Sequence, residues 1–147
     1  MTALATRGFY RSENTFDETN TASRSMYSEV VTYSWQAAAR DKLRQLERLS
    51  DNWNSYGSIP PTRTVLHIAK VLLFDLLDDR EMPVLDISPI HDGGIQIEWH
   101  KGIREFELEV FPDGHFEFLK IENDEHLEEG PASLSKVNSL ISWVLHE

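Results

Sequence analysis

The chain has 147 residues, no cysteine and a formal net charge of −11, about one domain's worth of polypeptide and long enough to bury a core. The missing cysteines exclude a disulfide framework and thiolate chemistry, and fit a reducing, cytoplasmic setting. No apolar run approaches the ~18 residues of a membrane span, and the first residues lack a signal peptide's apolar stretch, so neither membrane insertion nor export is expected.

Residues 1–30 are rich in Ser, Thr and Asn without a sustained period, which predicts a tail that is disordered or ordered only on a partner. Phe9 and Tyr10, between Arg7 and Arg11, are its candidate anchors. Residues 31–147 are expected to form a single α+β domain. Trp35, Ala39, Leu43, Leu46 and Leu49 recur at helical spacing and predict a first helix from about Tyr33 to Leu49. Its polar face carries Arg40, Lys42, Arg44, Glu47 and Arg48, a modest basic stripe within an acidic protein. An Asn/Ser/Gly-rich loop follows with two large aromatics, Trp53 and Tyr56. They either plug the open end of the core or form an aromatic recognition patch. A second helix starts near Pro61-Thr62, capped by Thr62 or Thr64, with Val65, Ile68, Ala69, Leu72, Leu76 and Leu77 as its buried stripe.

Val84-Leu85-Asp86-Ile87 predicts a short strand, and Pro83 and Pro89 beside it argue for a sheet edge. His91-Asp92-Gly93-Gly94 then turns the chain into a β-meander. A two-residue Lys101-Gly102 loop pairs Ile97 with Phe106, Ile95 with Leu108 and Glu98 with Glu105. A three-residue Pro112-Asp113-Gly114 loop, with glycine left-handed in a G1 bulge, pairs Val110 with Phe116 and Glu109 with Glu117. Both hairpins then place Ile95, Ile97, Phe106, Leu108, Val110, Phe116 and Phe118 on one face, and a slip of one residue would mix the faces. Residues 122–129 read as an acidic loop. After the Gly130-Pro131 break, Ser133 caps a last helix with an apolar face of Leu134, Val137, Leu140, Ile141, Val144 and Leu145. The expected fold is therefore α+β: two N-terminal helices, an antiparallel meander of three to four strands, and a C-terminal helix packed on the apolar sheet face.

The other face of that meander gathers Glu98, Glu105, Glu107, Glu109 and Glu117. A solvated outer face explains such a surface, but like charges directly across strands cost a few tenths of a kcal/mol each. Acidity is also confined to this half. Residues 1–81 hold ten Lys and Arg against eleven Asp and Glu, whereas 82–147 hold four against fourteen. Such a field opposes direct binding of nucleic acid or anionic lipid and favours a basic protein partner.

Catalytic signatures are missing. There is no Gly-x-Ser-x-Gly elbow, and Asp92-Gly93-Gly94 is not followed by the Lys-Ser/Thr of a phosphate loop. The six histidines are scattered, none at the spacing of a helical metal pair, and His91-Asp92 reads as a polar turn. Neither a cofactor nor a metal is expected. Glu98, Glu105 and Glu107 are the carboxylates a metal-dependent hydrolase would use.

Leu49-Ser50-Asp51-Asn52-Trp53-Asn54-Ser55-Tyr56-Gly57 with Pro60, then Asp92-Gly93-Gly94-Ile95-Gln96-Ile97-Glu98-Trp99, then Leu108-Glu109-Val110 with Pro112-Asp113-Gly114, resemble a group of small, largely uncharacterised bacterial and mobile-element proteins. That group carries an Asn-Trp-Asp-x-Tyr-Gly-Ala loop and an Asp-Gly-Gly-x-x-x-Glu-Trp strand. Here Asn54 and Ser58 stand where the pattern has Asp and Ala. The resemblance spans roughly residues 43–119 and implies a shared fold and a bacterial or phage origin, where such genes often serve in toxin–antitoxin, defence or counter-defence systems. The expected function is a non-enzymatic, antitoxin-, immunity- or inhibitor-like binding module that docks a basic partner through its acidic sheet face. A DNA-mimic inhibitor of a DNA-binding protein and the metal-dependent hydrolase are the alternatives.

Overall fold

Three hairpin turns organise the protein, and each is set by residues that accept a left-handed backbone. In the computed structural model, which describes residues 35–146, they join β2 (Ile95–Lys101), β3 (Arg104–Val110), β4 (Phe116–Glu122) and β5 (Glu125–Ala132). With β1 (Val84–Pro89) these form one antiparallel sheet in the order β1-β2-β3-β4-β5. Helices α1 (Trp35–Glu47) and α2 (Arg63–Lys70) precede the sheet, and α3 (Leu134–Leu145) follows it. Phe9 and Tyr10 lie outside the described residues.

The β3–β4 hairpin has the expected register. Glu109 faces Glu117 and Leu108 faces Phe118, and Gly114 (φ +94) donates its N–H to Phe111 O at 2.8 Å. The β2–β3 hairpin differs. Its two turn residues are Gly102 and Ile103, not Lys101 and Gly102, so Lys101 pairs with Arg104 and Glu98 faces Glu107 rather than Glu105. Glycine at the first central position, with φ +62, suits the type II′ turn whose twist matches the strands. The slide is two residues, so every side chain keeps its face. It also sets Trp99 against Phe106, stacked 4.5 Å apart at 15°, a cross-strand aromatic pair contributing about 0.5–1 kcal/mol.

The sheet has five strands, not three or four. Residues 122–129, expected as an acidic loop, instead contain a tight turn at Asn123 (φ 53) and Asp124 (φ 65) and most of β5. Two successive positive φ values define a type I′ hairpin. A bulge at Lys120/Ile121 then shifts the β4–β5 register. Strand β5 is an outer strand exposed on both sides, and its glutamates and Pro131 protect that edge from pairing with another chain. Strand β1, preceded by Pro83 and ending on Pro89, forms the opposite edge.

One face of the sheet is buried. Ile87, Ile97 and Leu108 form one row of direct neighbours and Ile95 and Val110 another, all at most 1% exposed. Helix α3 covers this face with Val137, Leu140, Ile141 and Val144, starting at Ser133, whose hydroxyl accepts Lys136 N–H at 3.1 Å. Helix α1 packs beside β1 and contributes Leu43 and Leu46. Helix α2, capped by the Thr62 hydroxyl on Val65 N–H, continues as a π-helical segment, Val71–Leu76, before Leu77 ends it. No helix among the described residues is long and apolar enough to cross a membrane.

Candidate functional site

The uncovered face of the sheet carries the charge. Register places Asp86, Glu98, Glu107, Leu119 and Glu129 in one row across all five strands. The row beyond holds His100, Glu105, Ile121 and His126, and the row on the other side holds Gln96, Glu109 and Glu117. All five glutamates expected on this face are there. Glu129 and the flanking His126 and Asp124 join them because β5 exists, which reading residues 122–129 as a loop could not reveal. The signal available was Asn123-Asp124, two residues that tolerate left-handed φ between residues able to pair.

The like-charge contacts are closer than a flat solvated face requires. Carboxylate oxygens of Glu98, Glu105 and Glu107 lie within 4.8 Å of one another. Glu107 is the direct partner of Glu98, whereas Glu105 reaches it diagonally, and the Glu98–Glu105 contact becomes a hydrogen bond only when one carboxyl keeps its proton. That hydrogen bond, followed by partial burial and the charges of Glu98, Glu107 and Asp124, raises the Glu105 pKa from 4.5 to about 7. Glu107 is raised by burial and by Glu98, against the pull of His126. Glu109 is raised by burial, Asp92 and Glu117, with His115 and His91 opposing. At the hairpin tip His115 bridges Asp113 (Nδ1 to Oδ1, 2.5 Å) and Glu117 (Nε2 to Oε2, 3.2 Å). These two contacts raise its pKa.

Among the described residues, the strands place no Lys or Arg on this face. The four Lys and Arg residues of 82–147 all serve the helix side instead. Lys101 Nζ donates to Leu145 O (3.1 Å) and Arg104 Nη1 to Trp143 O (2.8 Å), satisfying carbonyls at the negative end of α3. Arg104 and Lys120 both sit over the Trp143 ring, at 4.9 and 4.5 Å from its centre. Lys136 pairs with Glu128 (3.0 Å) and lies over Phe118. At the β1 edge Lys42 Nζ approaches Asp86 at 3.9 Å. Two open depressions mark the face, one lined by Glu107, Glu109, Glu117, Leu119 and Glu129, the other by Glu98, His100, Glu105 and Asp124.

Chemically, such a surface has three ways to relieve its repulsion: a shared proton, a hard cation, or the cationic side chains of another molecule. The convergent Glu98, Glu105 and Glu107 offer an all-oxygen donor set that suits Mg²⁺ or Ca²⁺ better than zinc.

The Trp53–Tyr56 loop lies elsewhere and is built differently. Asn52 (φ 64) and Ser55 (φ 67) are left-handed, and Asn52 Oδ1 accepts Gly57 N–H at 2.7 Å while Asn54 Oδ1 accepts Tyr56 N–H at 3.0 Å. Trp53, half-buried, donates its indole N–H to Ile59 O at 2.9 Å. Tyr56 does not plug the core: it is 89% exposed at the tip of the loop, because the turn that Asn52 and Gly57 close projects it outward. The loop joins the Asp92-Gly93-Gly94 turn through Ile59 N–H to His91 O (3.1 Å) and Thr62 N–H to Gly93 O (3.0 Å). A Cβ on Gly93 would meet Ile59 Cδ1 at 3.1 Å, and one on Gly94 would meet Val110 O at 2.6 Å. The polar His91-Asp92 turn and the aromatic loop are thus one structural joint, with Asp92 Oδ1 accepting Gly94 N–H. Comparison with family models, curated proteins and solved structures gave no match.

Proposed function

We propose that this protein is a non-enzymatic binding module that docks a basic protein partner on the outer face of its sheet. The observation that carries the reading is the separation of charge: Glu98, Glu105, Glu107, Glu109 and Glu117 share a face, while Lys101, Arg104, Lys120 and Lys136 are engaged on the helix side. Direct like-charge neighbours disfavour the fold slightly and are relieved by a partner's cations. An antitoxin-, immunity- or inhibitor-like role fits this chemistry and the resemblance to mobile-element proteins. The experiment is affinity capture at low and high salt. Salt-sensitive capture of a basic protein, lost in Glu105→Lys with Glu107→Lys, supports the docking face. Capture unchanged in that variant removes it. If the partner binds DNA, competition with duplex DNA identifies a DNA mimic, and simultaneous binding excludes one.

A metal-dependent hydrolase is the second reading, favoured by the approach of three carboxylates within 4.8 Å. Calorimetry with Mg²⁺, Mn²⁺ and Ca²⁺ tests it, and absence of heat at millimolar metal ends it.

A further inference from the structure

A second surface, remote in character from the acidic face, lies between the C-terminal end of α1 and α2. Leu46, Leu49, Pro60, Pro61 and Leu66 give it an apolar floor, and the chain enters it directly from the loop that exposes Tyr56. Its rim is the solvent-facing row of α2: Arg63, His67 and Lys70, one helical turn apart. Lys70 is held by Glu47 at 2.5 Å. The side chain of Arg63 has no ion pair or hydrogen bond among the described residues, and it stands at the first position of α2, a helix with no acidic residue in its first turn. A cation there opposes the helix dipole by about 0.3–1 kcal/mol, so its position is not one that stabilises the helix. Among the other described arginines, Arg40 lies over Phe74, Arg44 pairs with Asp41, Arg80 bonds Asn138 and Ser142, and Arg104 bonds α3.

We infer that this groove docks an acidic peptide segment of a partner protein, its apolar side chain on the Leu46–Pro61–Leu66 floor and its carboxylates along Arg63 and His67. Charge complementarity selects the occupant. The excess of negative charge lies in residues 82–147, so an acidic peptide is repelled by the sheet half. It is retained in the nearly neutral helical half, where Arg63 is left uncompensated beside apolar surface while Glu47 neutralises Lys70. The surface does not depend on the docking face of the sheet and would allow both to be occupied.

The test is an amide chemical-shift titration of the full chain with a short acidic peptide carrying a central Leu-Phe pair, at low salt. Shifts confined to Leu46, Leu49, Arg63, Leu66 and Lys70, saturating with peptide, support the groove. Arg63→Glu should weaken binding by about threefold or more, the scale of one exposed ion pair, while Arg63→Lys retains most of it. Arg63 is exposed, so both variants should fold, and their unperturbed spectra will verify this. No shifts at these amides, equal affinity in Arg63→Glu, or shifts that depend on protein concentration without peptide would overturn the inference, the last by identifying a second copy as the occupant.

Discussion

Replacing Glu105 by glutamine removes one of three converging carboxylates while keeping its shape and a hydrogen-bond donor for Glu98. The folded chain retains the Glu105 proton up to about pH 7, whereas an unperturbed glutamate loses it near 4.5. Unfolding therefore releases a proton between these values, and the stability this group provides is complete below 4.5 and lost as pH rises through about 7. At full value that displacement corresponds to roughly 3 kcal/mol, and screening by water over an open sheet face reduces it to about 1–2 kcal/mol. Urea unfolding of the wild type and Glu105→Gln, followed by tryptophan fluorescence at about pH 5 and about pH 8, should show near-equal midpoints at the lower pH. At the higher pH the variant should unfold at a midpoint about 0.5–1 M higher. Parallel pH profiles for the two proteins would mean that Glu105 does not hold the shared proton, and the carboxylate cluster would lose its electrostatic basis.

Gly94→Ala should cost about 2–4 kcal/mol, because its Cβ would meet the backbone oxygen of Val110 at 2.6 Å, and thermal unfolding measures the loss. Trp53→Phe removes the indole hydrogen bond to Ile59 O and should cost about 1 kcal/mol by denaturant unfolding. Tyr56→Ala should change stability by less than about 0.5 kcal/mol, since the ring is 89% exposed, so any binding lost in that variant would report recognition directly. Asn52→Gly should be milder than Asn52→Ala, because glycine accepts φ 64 and alanine does not, although both lose the contact with Gly57.

How much of this was legible in the residues follows from which physical signals each segment carries. The β3–β4 hairpin could be read because Pro112-Asp113-Gly114 offers a turn whose glycine must be left-handed, and the alternation on both sides excludes a one-residue slip. The β2–β3 turn could not be settled the same way. Lys101-Gly102 and Gly102-Ile103 differ by two residues in register, and a shift of two leaves every apolar residue on its own face, so patterning is silent between them. What decides it is which central position needs the left-handed glycine and whether Trp99 meets Phe106. Strand β5 was hidden for another reason. An edge strand with both sides in water has no burial alternation, and its bulge displaces whatever pattern remains. The outer glutamates were legible because they alternate with core residues, but Glu129 belongs to the hidden strand. Aromatic character alone leaves Tyr56 either a plug of the core or an exposed recognition residue, and backbone geometry at Asn52 and Gly57 decides where it points.

The placement of Lys101, Arg104, Lys120 and Lys136 on the helix side has a kinetic consequence. With its positive groups behind the sheet and its uncompensated negative groups in front, this half of the molecule is an electric dipole directed through the sheet. A cationic body nearby exerts a torque on such a dipole and turns the acidic face toward itself. Since fields between solvent-exposed charges decay over about 8 Å at physiological salt, that turning acts only in the last steps before contact. It would narrow the range of orientations sampled in each encounter and hasten productive association without adding any contact to the final complex.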